Sequence, residues 1–220
     1  MHRKTLPLLV TAILAVTSVQ AADSSTDPEV VRITKERAEK IIARLGIADE
    51  EKADRVREII ARQYLDLSDI HAKRDASLKA ISQLSADESR IETDKQNAKR
   101  DAELEQFRLH YAFLAKLAVD LTPSQVDQVK DAITFNVVPI TFDRYQKLLP
   151  TLTDKQKRHI HSLLIEAREH AMDAGSSEAK HAMFGKYKGR INNYLSAAGF
   201  DLKSAERSLQ ERERAQKASG

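Results

Sequence analysis

The chain contains no cysteine, which excludes both disulfides and thiol chemistry. Beyond its first 21 residues it also lacks any hydrophobic run long enough to cross a bilayer. Glycine is scarce: there are six in 220 residues, and four of them lie between Glu169 and Lys203. In that stretch small, aromatic, basic and amide residues are mixed most closely. We therefore expect stability to rest on a packed core and any specific site to lie between these two residues.

Residues 1–21 are predicted to form a secretory signal peptide. A basic start precedes a short apolar run from Leu6 to Val16, and Ala21 supplies the small residue before a cleavage site. Without this segment the chain carries 34 basic and 33 acidic residues, a net charge of +1. This net charge is too small to produce an overall electrostatic field that would attract nucleic acid or an anionic membrane. We expect an exported, periplasmic protein that contacts neither nucleic acid nor, after leader cleavage, the membrane.

Apolar residues recur at helical spacing along most of the chain after Pro28. One stripe stops at Gly46, and the next begins at Asp49, a good N-cap. The polar residues 85–103 contain neither proline nor glycine, which indicates an exposed helical arm that follows a turn. The pattern predicts an all-α fold, an irregular helical bundle of about six helices with one long antiparallel helical hairpin.

The predicted domain organisation is simple. A flexible polar entry covers residues 22–28, and a single helical domain covers residues 29–203. Residues 204–220 are strongly charged, so we expect a partly disordered tail. Pro139 and its β-branched neighbours predict an apolar loop over residues 136–143, packed across the bundle.

Two segments, Leu121–Gln125 and Leu152–Gln156, share the pattern L-T-x-x-Q. They resemble the repeated motif of small periplasmic chaperones of the Spy type, which are exported helical proteins that cradle unfolded clients. Threonine followed three residues later by glutamine is also an ordinary helix capping box. The pattern therefore favours a structural role and leaves a chaperone-like function as an alternative.

Glu166 and His170 are four residues apart on one predicted helix, a spacing that can hold a metal ion, with His181 as a further ligand. The same spacing is common for polar contacts on solvated helices, and no metal-binding signature accompanies it. We predict no metal and no cofactor. A glycan-active enzyme using Glu166, Asp173, Glu178 and the histidines is a further alternative, but paired-carboxylate catalysis needs a cleft with a set carboxylate separation. We favour a protein without catalysis.

The helix predicted after Gly175 has three different faces. One face is apolar with core spacing, one is basic, and one is polar and interrupted by Gly185 and Gly189. A glycine inside a helix costs about 1 kcal/mol relative to alanine. A neighbouring backbone packed against both glycines is the favoured explanation, and a ligand that approaches the bare face is the other.

The side chains around these glycines are the candidate ligand-binding residues. Histidine, lysine and asparagine donors beside tyrosine rings suit a polyhydroxylated or carboxylated ligand, such as an acidic sugar. The candidates are His170, Asp173, His181, Lys186, Lys188, Arg190, Asn192, Asn193 and Tyr194. Saccharide binding at this site requires that His181, Lys188 and Asn192 line one polar pocket.

The order of several segments resembles a known family. The matching segments are R-A-E-K at 37–40, L-T-P-S-Q-V at 121–126, R-E-H-A-M-D-A-G-S-S-E-A-K-H at 168–181 and F-G-K-Y-K-G-R-I-N-N-Y-L-S at 184–196. The sequence resembles, over residues 30–203, an uncharacterised domain of unknown function from exported proteins of glycan-degrading Gram-negative bacteria. Members are described as candidate sugar-binding proteins. The resemblance implies a non-catalytic saccharide-binding or glycan-utilisation accessory protein with an acidic or neutral glycan as partner, and leaves the oligomeric state open.

Overall fold

A computed structural model describes residues 27–218. In this range the chain forms eight α-helices and no strand: α1 (Pro28–Leu45), α2 (Glu50–Ile81), α3 (Glu88–Asp120), α4 (Pro123–Ile133), α5 (Val137–Leu148), α6 (Asp154–Met172), α7 (Ser177–Ala197) and α8 (Leu202–Ala218). The all-α prediction is confirmed, with eight helices in the described range instead of about six. Of these helices, none combines the length and the apolar character that a bilayer span requires. The predicted signal peptide and most of the polar entry lie outside the described residues.

Local capping chemistry fixes where the first helices begin and end. The carboxylates of Asp27, Asp49 and Asp87 accept hydrogen bonds from backbone N–H groups in the first turns of α1, α2 and α3. Helix α1 ends at Gly46, whose φ of 62° lies in the left-handed region that glycine adopts at little cost. These short-range signals are why the sequence places the first helices correctly.

Helices α2 and α3 form the long antiparallel hairpin, with 32 and 33 residues and a short connection between them. The hairpin prediction is therefore confirmed. Ile70 is the last buried residue of α2, and Ala102 is the first of α3. The far half of the hairpin, between these two residues, contributes no buried side chain.

Two hydrophobic clusters make up the core. Helices α1 to α4 bury one cluster around Ile60 and Phe113, and α5 to α8 bury the other around Leu164 and Phe184. Helix α6 belongs to both, because Leu164 packs into the second cluster while Met172, near its end, packs into the first. Helix α6 also contacts α4, so this pair joins the two halves of the bundle.

The apolar loop predicted over residues 136–143 is wrong, because helix α5 occupies that stretch. Pro139 is the third residue of α5, in the first turn, where a missing N–H removes no intrahelical hydrogen bond. Phe135 and Asn136, with φ of 60° and 56°, turn the chain between α4 and α5. The chain has already reversed its direction at these two residues, so the β-branched residues that follow can form one continuous helix.

Helix α8 occupies most of the charged C-terminal segment. The guanidinium of Arg144 on α5 donates hydrogen bonds to Glu206 at 2.5 Å and to Glu213 at 2.7 Å. Leu209, between the two glutamates, is buried in the second core cluster. Two of the charged residues in this segment, Glu206 and Glu213, thus form ion pairs with α5.

Candidate functional site

The candidate residues on α7 do not share one pocket. The side-chain oxygen of Asn192 accepts a 2.7 Å hydrogen bond from the Tyr145 hydroxyl, whereas the His181 ring stacks on Phe135 at a centroid distance of 5.3 Å. Of the nine candidates, Lys186, Lys188 and Asn193 make no side-chain hydrogen bond, ion pair or ring contact within residues 27–218. The polar pocket expected between His181, Lys188 and Asn192 is not formed.

Glu166 and His170 belong to a surface cluster built on Tyr187. The Tyr187 hydroxyl donates to Glu166 Oε1 at 2.7 Å, and Arg190 donates to the same oxygen at 3.3 Å. The His170 ring stacks on Tyr187 at 6.2 Å. No three histidine, aspartate or glutamate side chains come together as a metal-binding group within the described part of the chain. The Glu166–His170 spacing thus serves polar contacts around an aromatic ring.

Tyr194 and Asp173, the two remaining candidates, also have separate neighbours. The Tyr194 ring lies against His159, with a centroid distance of 4.2 Å. The Asp173 Oδ2 atom accepts from His110 Nδ1 at 3.0 Å, on the side of α6 that faces α3. The nine candidates are thus distributed over several surfaces.

The two glycines inside α7 face open space. A Cβ atom added at Gly185 or at Gly189 would meet no atom of another segment within 4 Å. The expectation that a neighbouring backbone packs against them is therefore wrong. A close approach exists instead at Gly175, where an added Cβ would lie 3.0 Å from the His71 ring.

Replacing the α7 glycines with alanine should stabilise the protein. We expect Gly185→Ala and Gly189→Ala each to raise the free energy of unfolding by about 1 kcal/mol, because alanine loses less backbone entropy in a helix and meets no neighbour here. Urea unfolding measures the change. Gly175→Ala is the matched control and should lower stability, since its Cβ would press on His71. A loss of stability in the α7 variants would contradict the open-face description.

A cleft of about 870 Å³ lies next to the N-terminus of α7, with none of the nine candidates in its lining. Helix α1 forms one wall and α2 the other, while the α4–α5 turn and the α6–α7 turn close its end. The stretch from Glu169 to Lys203 contributes Ala174, Gly175, Ser176, Ser177 and Lys180. The stretch singled out in the sequence thus borders the cleft through the α6–α7 turn and Lys180, and not through the middle of α7.

The Lys and Arg residues of the cleft give its lining one sign of charge. Arg37, Lys40 and Arg44 come from α1, and Lys180 comes from α7, whereas no aspartate or glutamate lines the cleft. Ser176 and Ser177 bring the N-terminal end of α7 to the same space, where the helix dipole adds partial positive charge. This arrangement favours an anionic ligand.

Lys180 is the most buried of these cations, with 7% of its surface exposed. Its ammonium donates to the carbonyl oxygens of Ile133 and Met172, both at 3.3 Å, which are the last residues of α4 and α6. Burial lowers the pKa of Lys180 to about 8; Asp173 opposes this shift, and the positive charge of Arg37 adds to it. An anion bound beside Arg37 and Lys180 would add to the favourable charge interaction that Asp173 already gives Lys180.

Both of these cations lie near the Tyr64 ring. The Arg37 guanidinium is 5.7 Å from the centre of this ring and the Lys180 ammonium is 6.0 Å away. Both distances are within the range of a cation–π interaction, which helps to hold the two cations near each other. Arg37 is otherwise exposed, so its donors face the cleft and solvent.

His71 is fixed in the wall beneath the α6–α7 turn. Its Nε2 lies 2.8 Å from the Asp173 carbonyl oxygen, and Arg74 Nη1 lies 3.0 Å from its Nδ1. Since the carbonyl can only accept and the guanidinium can only donate, Nε2 carries the proton and Nδ1 accepts. The turn that carries Gly175 is therefore held in place by the histidine it packs against.

Both L-T-x-x-Q segments are complete capping boxes. The Thr122 hydroxyl accepts from the backbone of Gln125 while the Gln125 side chain accepts from the Thr122 backbone, and Thr153 and Gln156 repeat the arrangement. Helix capping thus accounts for the pattern that resembles the chaperone motif. Exposed apolar side chains do occur elsewhere, on α3, at Leu104, Phe107, Tyr111 and Val119.

Residues 31–215 match the family described as "Protein of unknown function (DUF3826)", and no curated protein matches the sequence significantly. The match covers most of the chain, so the protein belongs to this family. The resemblance to an uncharacterised family is thereby confirmed.

Proposed function

We propose that this DUF3826 protein is an exported, non-catalytic binding protein whose α1–α2–α7 cleft takes an acidic saccharide. The observation that carries the proposal is the single sign of charge in the cleft, where Arg37, Lys40, Arg44 and Lys180 face no lining carboxylate. Arg37 and Lys180, which both lie near Tyr64, are the first choice for a carboxylate ligand.

The remaining lining residues suit the rest of a sugar. Hydroxyl and amide side chains at Thr34, Ser176, Ser177 and Asn136 offer donors and acceptors to hydroxyl groups. Phe135, almost half exposed at the edge, presents an aromatic ring beside its stacking partner His181. Apolar faces flanked by a few polar groups are typical of ligand sites. His181, on the polar face of α7, is thus next to the cleft because its ring stacks on Phe135.

The cleft favours binding over hydrolysis. Glycoside hydrolysis uses two carboxyl groups beside the scissile bond. Glu166, Asp173 and Glu178, the carboxylates considered for an enzyme, do not line the cleft. The first two already accept hydrogen bonds from Tyr187 and His110.

A glycan array carrying uronic-acid and neutral glycans, probed with purified protein, tests this function. We expect uronic-acid glycans to be retained and neutral ones not. Arg37→Gln should weaken binding about tenfold, because a hydrogen-bonded charge pair contributes roughly 1.5 kcal/mol or more. Lys35→Gln removes an exposed α1 cation outside the cleft and is the matched control, expected to bind like the wild type.

Two results would argue against an acidic-saccharide site. If neutral glycans are retained as well as uronic-acid glycans, the cations of the cleft do not determine which ligand binds. If Arg37→Gln binds like the wild type, the glycan binds at a site other than this cleft.

A further inference from the structure

The three α1 cations of the cleft lie along one edge of the helix. Arg37, Lys40 and Arg44 are separated by three and then four residues, so they recur about once per helical turn, or roughly every 5.4 Å. Their backbone positions together span about 10 Å along the helix axis at 1.5 Å per residue. The positive charge of this wall is therefore an extended row.

The second and third cations of this row have no partner in the protein that would give them a structural role. Lys40 and Arg44 are exposed and make no ion pair or side-chain hydrogen bond within residues 27–218. Four other α1 charges are paired: Arg32 bonds Glu29 and Glu36, and Glu39 accepts from Arg57. The unpaired charges of α1 that line the cleft are thus available to a ligand.

We infer that the row selects a linear oligosaccharide with a carboxylate on each of about three consecutive sugars, that is, an oligouronide rather than a single acidic sugar. A helical turn is comparable to the length that one sugar ring adds to an extended chain, so successive carboxylates can meet successive cations. Arg37, beside Lys180, takes the first carboxylate, and Lys40 and Arg44 take the next two. This inference rests on the proposed function of the cleft.

The inference is tested by calorimetric titration of the full purified protein with four probes. They are galacturonic acid, trigalacturonate, the fully methyl-esterified trigalacturonate, and an oligomer in which uronic acids alternate with neutral sugars. Trigalacturonate should bind about tenfold to thirtyfold more tightly than the monomer, since two added exposed charge contacts contribute up to about 1 kcal/mol each. The ester should lose this gain, and the alternating oligomer should retain only part of it.

Substitutions assign the gain to the row. Lys40→Gln and Arg44→Gln should each weaken trigalacturonate binding by about threefold to fivefold and leave the monomer unaffected. Arg37→Gln should weaken the binding of both galacturonic acid and trigalacturonate. Lys35→Gln, on the same helix but outside the cleft, should change neither. Raising the salt concentration should reduce trigalacturonate affinity more than monomer affinity, because exposed charges are screened.

The outcomes separate the inference from the function on which it rests. If no acidic saccharide binds, both fail. If galacturonic acid and trigalacturonate bind equally well, the cleft takes acidic sugars but the row does not read their spacing. If trigalacturonate binds more tightly than galacturonic acid, and Lys40→Gln and Arg44→Gln do not reduce this difference in affinity, then the row of cations does not cause the difference.

Discussion

Arg168→Met should lower the free energy of unfolding by about 3 kcal/mol, because it breaks a buried ion-pair network from one side. The guanidinium, only 3% exposed, donates to Asp131 at 2.8 Å and Asp127 at 2.7 Å on α4. It also contacts Glu169 at 3.3 Å. Burial alone would lower the pKa of Arg168, but the hydrogen bonds and charges of the two aspartates outweigh burial and raise it.

The position of Arg168 makes the effect larger than that of an ordinary ion pair. It connects α6 to α4, the pair of helices that joins the two core clusters. Arg190→Met is the matched control: Arg190 pairs with Glu166 at the surface, both about half exposed, and should cost less than about 1 kcal/mol. Urea unfolding of both variants provides the measurement. Equal losses in the two would show that the α4–α6 network is no stronger than a surface pair.

Stability should also fall between about pH 6.5 and pH 9 because of His110. Hydrogen bonds to Asp173 and Glu169 raise the pKa of this histidine to about 9, against burial, from an ordinary value of 6.5. Since the folded-state pKa exceeds the unfolded one, the stabilisation is fully present below pH 6.5 and is lost as the pH rises through 9. A shift of this size corresponds to roughly 3 kcal/mol.

Comparison of wild type with His110→Gln isolates this effect. Lys180, whose pKa is lowered, adds stability between about pH 8 and its ordinary 10.5, so a single stability curve mixes the two groups. The stability difference between wild type and His110→Gln should shrink by roughly 3 kcal/mol from pH 6 to pH 9.5. The difference between wild type and Asp173→Asn should also shrink, but by less, because Glu169 still raises the pKa of His110 in that variant. A difference that stays constant with pH would exclude His110 as the titrating group.

The parts of the fold that the sequence predicts are those set by neighbouring residues. Asp49 and Thr153 cap their helices through backbone groups three residues away, so both starts can be seen without tertiary information. Helix α5 is missed because the effect of Pro139 depends on whether it lies in the first turn or the interior of a helix. That position is fixed by the preceding chain reversal at Phe135 and Asn136, which no local pattern indicates.

The cleft is harder to predict because its walls come from distant parts of the chain. One signal was present. Lys180 lies in register with Phe184, Tyr187 and Ile191 on the buried side of α7. A cation at a core position must find compensation, here from helix-end carbonyls and an aromatic ring. The glycines inside α7 are the more conspicuous feature of the sequence, although their face of the helix is open.

The α2–α3 hairpin gives the protein an elongated shape. A helix of 32 residues is about 48 Å long, and α2 continues for eleven residues, roughly 16 Å, beyond its last buried side chain, Ile70. Frictional drag depends on such an extension more than on mass. Gel filtration against compact standards would therefore assign a single chain an apparent mass above its 24.7 kDa. Early elution alone would not indicate a dimer, so the oligomeric state of this protein requires a measurement that is independent of shape.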